Sequence, residues 1–106
     1  MRQRINPGEV WIVDLGIAGK IRPALALTGE PADNELTLVS IVAHTTSLRD
    51  DNPWQVVVPK PFLRSGAFHL QQINSVPSAR FERYLGRLTD SEFASIKARL
   101  GDRLGI

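Results

Sequence analysis

The chain has no cysteine, which excludes a disulfide framework, a thiolate nucleophile and a thiolate-held zinc, and accords with a reducing compartment. No apolar run approaches the roughly 18 residues of a membrane span, and the arginines at 2 and 4 have no apolar stretch behind them. A soluble, unsecreted, cytoplasmic protein is expected. Phosphate-cradling glycine loops, HExxH, calcium-loop and GxSxG patterns are all missing. Histidine is scarce, and the two present lie 25 residues apart with no regular carboxylate spacing, so no metal site is expected. Neither metal nor cofactor is implied. Proline and glycine are too thinly spread for disorder, and no repeat, heptad array or low-complexity tract interrupts the chain.

What remains is ordinary globular material, 106 residues with 42% apolar and 23% charged, expected to form one domain over 1–106. Such a length buries roughly two thirds of its unfolded surface, enough for one core. The net charge of +2 is unevenly placed, since residues 31–60 carry four acids and two bases while 61–106 carry four acids and seven bases. That permits a polyanionic partner without requiring one.

The organising stretch is 36–47, LTLVSIVAHTTS. Six of its first eight residues are apolar, which predicts a strand buried on both faces. It ends by delivering His44, Thr45, Thr46 and Ser47 to a rim. Ahead of it, Trp11, Val13 and Leu15 alternate in a first strand over 9–15. The glycine-bracketed loop 16–20 is expected to be mobile, and Pro23 opens a second strand over 23–28. A turn cluster at 29–34 makes strands two and three a hairpin. After a charged loop at 48–53, a fourth strand is predicted at 54–58, ended by Pro59 and Pro61. A helical turn follows at 62–66, then a fifth strand at 67–73 with His69 and Gln71 on its polar face. A turn around Pro77 spans 75–79, and a last strand over 81–88 breaks at Gly86.

The period then changes. Thr89 and Glu92 match a capping box, behind which Phe93, Ile96, Leu100 and Leu104 recur at helical spacing, with Glu92, Lys97 and Arg99 on the solvated side. The predicted fold class is α+β, a small curved antiparallel sheet or SH3-like partly open barrel with a C-terminal helix.

Gly8-Glu9-Val10-Trp11, Arg22-Pro23-Ala24-Leu25, Thr45-Thr46-Ser47, Gln72-Ile73 and Leu85-Gly86-Arg87-Leu88, in this order before a terminal helix, resemble the MazF/PemK family of toxin endoribonucleases over nearly the whole chain. The resemblance implies a homodimer of curved barrels that cleaves single-stranded RNA in a groove, without metal, leaving a cyclic phosphate and a 5′-hydroxyl. It also implies an antitoxin whose acidic C-terminal tail fills that groove, and operator DNA as a target of the toxin bound to its antitoxin. The family's catalytic arginine precedes the proline of strand two, which is Arg22 here. Its catalytic threonine lies two residues beyond a usual proline. Ala43 stands at that proline's position, which selects Thr45, with Thr46 as the neighbour that could replace it in the alignment.

The chemistry of these side chains can be set beside that carry-over. Arg22 is a permanent cation whose planar fork suits two phosphate oxygens, and for the same reason it is a poor base. Thr45 can donate to a phosphoryl oxygen, a contact whose loss costs roughly 3 to 4 kcal/mol. For the general base, some relatives carry an acid before the strand-five glutamine. Gln71 stands there, next to Gln72, and cannot take a proton, so His44 and His69 are the candidates, His44 beside Thr45 and His69 on the face of Gln71. Lys20 and Arg49 are candidate phosphate contacts in flanking loops, and with His44, Thr46, Ser47, His69, Gln71 and Gln72 they make up the candidate RNA-binding set; Trp11 and Trp54 are expected in the core or an interface. Two other readings stay open. A non-catalytic small-barrel nucleic-acid-binding module would bind RNA without cutting it. A CcdB-like gyrase poison would act through a tryptophan near its end, where this chain closes on Arg103-Leu104-Gly105-Ile106.

Overall fold

A computed structural model describes residues 3–16 and 20–106. Six strands, β1 (Glu9–Asp14), β2 (Ile21–Ala26), β3 (Leu38–Thr45), β4 (Gln55–Val56), β5 (Ala67–Pro77) and β6 (Phe81–Arg87), form one sheet in the order β4-β5-β3-β2-β1-β6. Every neighbouring pair is antiparallel. β4 and β6 remain edges, so the sheet coils as an open barrel. A C-terminal helix, α1 (Asp90–Leu104), completes the α+β fold. No helix among the described residues is long and apolar enough to cross a membrane.

Period-two alternation sorts side chains onto two faces, and both faces are covered. Trp11, Val13, Ala24, Val39, Ile41, Val76 and Phe81 form one cluster, in which Phe81 and Tyr84 meet the Trp11 ring edge-on at 5.7 and 5.8 Å. Val10, Leu25, Val42, Phe68 and Leu70 form the other, against Ile96 and Leu100 of α1. β3 lies between β2 and β5 and is buried from Val39 to His44 apart from half-buried Ser40. Burial fails at its start, where Leu38 is exposed and Leu36 lies outside the strand, 77% exposed.

β5 departs most from the alternation. It does not stop at 73 in a turn but runs to Pro77, held by the Leu38↔Pro77 pairing and by the Ser78 N–H bonded to Thr37 O at 2.9 Å. The only turn left is a single 3-10 turn, Ser78–Arg80. Its register with β3 passes from Val42↔Ile73 to His44↔Phe68, so residues 69–72 form an extra stretch that bends the strand. The near half of β5 pairs with β4 through Gln55↔His69 and Val56↔Phe68. β4 is shorter than the predicted 54–58, because prolines at 59 and 61 bring no ladder donor and Val57 points outward, 57% exposed.

Two close approaches explain glycines that alternation misreads. Gly86 does not break β6; any Cβ there would collide with the Phe62 ring lying over it. Residues 62–66 form no helical turn, and a Cβ on Gly66 would press into the Thr45 carbonyl and the His44 ring. The predicted capping box on α1 is present, with Thr89 Oγ1 accepting from the Glu92 N–H at 3.2 Å and Glu92 Oε1 from the Thr89 N–H at 2.8 Å. Leu104 lies past the core, 55% exposed, so the apolar stripe ends at Leu100. Nor is the outer side wholly solvated. Arg99 stacks on Trp54 at 4.4 Å and donates to Pro53 O, and Lys60 pairs with Glu92 at 2.6 Å, fastening α1 to the loops flanking β4.

Candidate active site

At the rim where β2 begins and β3 ends, a cleft of about 630 Å³ takes in Lys20, Arg22, His44, Thr45, Thr46 and Ser47. The ladder explains the meeting of Arg22 and Thr45. Its pairs Leu25↔Val42 and Ala24↔Ala43 bring the start of β2 to the end of β3, and Arg22 and Thr45 line the same cleft there. Thr45 Oγ1 accepts from the Ser47 N–H at 3.0 Å, which fixes the hydroxyl and leaves its proton available to donate. His44, 5% exposed, stands edge-on to Phe68 with ring centroids 5.1 Å apart. Burial pushes its pKa below the ordinary histidine value, so the ring is neutral and carries an acceptor lone pair at neutral pH.

The same lining holds Arg64, Arg83, Phe62, Leu85 and Ile12, none of them a site candidate from the sequence. Ile12 pairs with Pro23 on one side and Arg83 on the other, so the register carries the lining from β2 through β1 to β6. The alternation of β6 signals an outward position for Arg83, but only the long-range pairing says which cleft it edges. The lining holds four lysines and arginines, and among its described residues there is no carboxylate. Among the described residues Arg22, Arg64 and Arg83 have no ion pair, whereas Arg80 pairs with Asp14 at 3.7 Å and Arg87 with Asp90 at 4.0 Å. Unpaired guanidinium groups in one concavity suit an anion.

The other predicted residues fall outside this lining. Arg49 sits in the loop before β4, its N–H bonded to Gln55 Oε1 at 2.7 Å. Gln71 and Gln72 are exposed where β5 bends, with Gln71 accepting from Asn52 Nδ2 at 3.0 Å. His69 is half-buried opposite Gln55, and its Nδ1 has no partner. Residues 69–72 are the extra stretch of β5 that has no partner on β3, and His69 pairs with Gln55 of β4 instead. The glycine-bracketed loop expected to be mobile is described only at its neck, where the Leu15 N–H bonds Lys20 O at 3.3 Å; residues 17–19 lie outside the described residues. Among the described residues no three of His, Asp and Glu cluster closely enough to hold a metal ion.

The same architecture recurs in solved structures. The chain aligns with a MazE-MazF complex from Deinococcus radiodurans at 20% identity and TM-score 0.81 over 99% of each chain. It aligns with an endoribonuclease in complex with its cognate antitoxin from a mycobacterial species at 24% identity and TM-score 0.78 over 95% of each chain. The Mycobacterium tuberculosis toxin MazF-mt6 aligns at 24% identity and TM-score 0.76, over 92% of this chain and 97% of that one. At such identities the likeness carries the fold alone. No curated protein matches the chain in sequence. A family model does, over residues 6–104, and the chain therefore belongs to the PemK-like, MazF-like toxins of type II toxin-antitoxin systems, a family known as endoribonucleases.

Proposed function

We propose that the chain cleaves single-stranded RNA without a metal, by attack of a ribose 2′-oxygen on the adjacent phosphorus. The observation that carries this reading is the rim cleft in which Arg22, Thr45 and a neutral His44 stand among further cations with no carboxylate in the described lining. Phosphoryl charge must be neutralised somewhere. In this cleft guanidinium groups supply that neutralisation, and the Arg22 fork suits the two non-bridging oxygens. The Thr45 hydroxyl donates to one of them.

His44 takes the 2′-proton, as the buried neutral ring allows. His69, the other candidate, lies outside the lining. The new bond from the 2′-oxygen to phosphorus forms as the bond to the 5′-oxygen breaks, and the leaving oxygen gains a proton from water. The products are a cyclic phosphate and a 5′-hydroxyl. Lys20, Thr46 and Ser47 contact the neighbouring backbone.

A cation-lined cleft equally suits an acidic antitoxin tail, and relatives solved with an antitoxin support such a partner. Homodimerisation, and operator DNA contacted through the bound antitoxin, complete the reading. The test is incubation of wild-type and Arg22→Ala protein with a long single-stranded RNA in EDTA, followed by end mapping. Cuts bearing a cyclic phosphate and a 5′-hydroxyl at a short motif, lost on substitution, are expected. Salt-dependent binding without cuts, or cutting indifferent to Arg22, overturns the nuclease reading in favour of a binding module.

A further inference from the structure

The cleft lining is chemically mixed. Besides Arg22, Thr45 and His44 it holds an apolar set, Ile12, Phe62 and Leu85, with Arg83 paired across the ladder to Ile12. We propose that this apolar set is a nucleobase subsite, and that Arg83 reads the base held there. The inference rests on the RNA-cleaving reading above and adds a specificity determinant to it.

The floor is rigid for stated reasons. Ile12 and Arg83 are cross-strand partners, Leu85 follows on the same face of β6, and the Phe62 ring lies against Gly86, where even a methyl group would displace it. An aromatic ring held in this way gives a base a flat apolar surface to stack on. Phosphate alone has no use for such a floor. Arg83 is also singled out among its neighbours. Arg80 and Arg87 at the two ends of the segment each pair with an aspartate, while Arg83 between them has no acid partner among the described residues and lines the cleft.

Its fork offers only donors, and the described lining contains no side-chain carboxylate or amide to accept from a base amine. The subsite should therefore prefer bases that present acceptors, the O4 of uracil or the N7 and O6 edge of guanine, over cytosine and adenine, whose amino groups would go unpaired.

The probes are 2′-O-methyl hexauridylate and hexacytidylate, which cannot be cleaved because the attacking oxygen is blocked. Their affinities are measured by fluorescence anisotropy for wild-type, Arg83→Gln and Phe62→Leu proteins, with melting temperatures as a folding control. The uridylate should bind wild type about tenfold tighter. Arg83→Gln should bring the two probes within about twofold, chiefly by weakening the uridylate, and Phe62→Leu should weaken both by about fivefold or more. Equal wild-type affinities, binding of neither probe, or an Arg83→Gln loss identical for both would overturn the proposal, the last marking a phosphate contact. Binding needs no cleavage, so the two readings can fail separately. A protein that discriminates the probes but leaves long RNA intact keeps the subsite and loses the nuclease. One that cuts but does not discriminate loses only the subsite.

Discussion

At the scale of single residues, the proposed mechanism gives the charge to Arg22 and the proton path to His44. Arg22→Lys keeps the charge but loses the fork, so single-turnover cleavage should fall by about 100-fold, comparable with removal of one preorganised donor. Thr45→Val should produce a similar drop, while Thr45→Ser, which retains the hydroxyl, stays close to wild type. His44 links activity to stability. Its folded pKa is depressed by burial, so the unfolded chain binds the proton more readily and the neutral ring favours folding. That contribution is complete above the ordinary value of 6.5 and declines as the pH falls from there through the folded value. Urea midpoints compared at pH 7.5 and pH 5 should show the loss, and His44→Gln should flatten it. The same substitution should remove the acidic inflection of the cleavage rate, which is expected below 6.5. A wild-type rate without inflection in that region would exclude His44 as the base.

At the scale of elements, what could be read from the sequence followed from how local each determinant is. The alternation of β1 and the buried centre of β3 needed only their own residues, and the capping box of α1 only residues 89 and 92. Removing that cap by Thr89→Ala should cost about 1 kcal/mol and lower the melting temperature by about 5 °C. The pH dependence of the helix start can be checked independently. Lys60 and the Thr89 N–H hold the Glu92 carboxyl below its ordinary 4.5, so its stabilisation is present above that value and lost as the pH falls through the folded one. Non-local determinants could not be read this way. The extra residues 69–72 in β5 exist only relative to β3, and His69, Gln71 and Gln72 within them lie outside the cleft lining. Arg83 looks like an ordinary surface charge until pairing with β1 brings β6 to the rim, and Arg64 until the segment before β5 edges the same cleft. Gly66 is the sharpest case, because its requirement for no side chain comes from Thr45, far off in sequence. Gly66→Ala should cost about 1 to 3 kcal/mol by overpacking, and should also slow cleavage by displacing the Thr45 carbonyl and the His44 ring. A slowed enzyme with an unchanged melting temperature would show that the rim yields without straining the core.

At the scale of the whole molecule, charge placement matters more than charge total. A net charge of +2 on 106 residues would steer a polyanion weakly if it were spread evenly. It is not spread evenly. Arg80, Arg87, Arg99 and Lys60 are each matched by a carboxylate elsewhere on the surface, so their fields largely cancel within a few ångströms. Lys20, Arg22, Arg64 and Arg83 share the cleft with no acid in its described lining. An RNA strand in the cleft therefore meets local charge well above the molecule's average, and binding should release the counterions condensed on the phosphates it covers. With four cations engaged, the logarithm of the association constant for an uncleavable strand should fall against the logarithm of salt concentration with a slope of about −3. Replacing Arg64 by Gln should reduce the magnitude by about 0.7, whereas Arg99→Gln, whose guanidinium lies on Trp54 away from the cleft, should leave the slope unchanged. If both substitutions changed the slope equally, binding would be spread over the surface and the cleft would lose its claim to the strand.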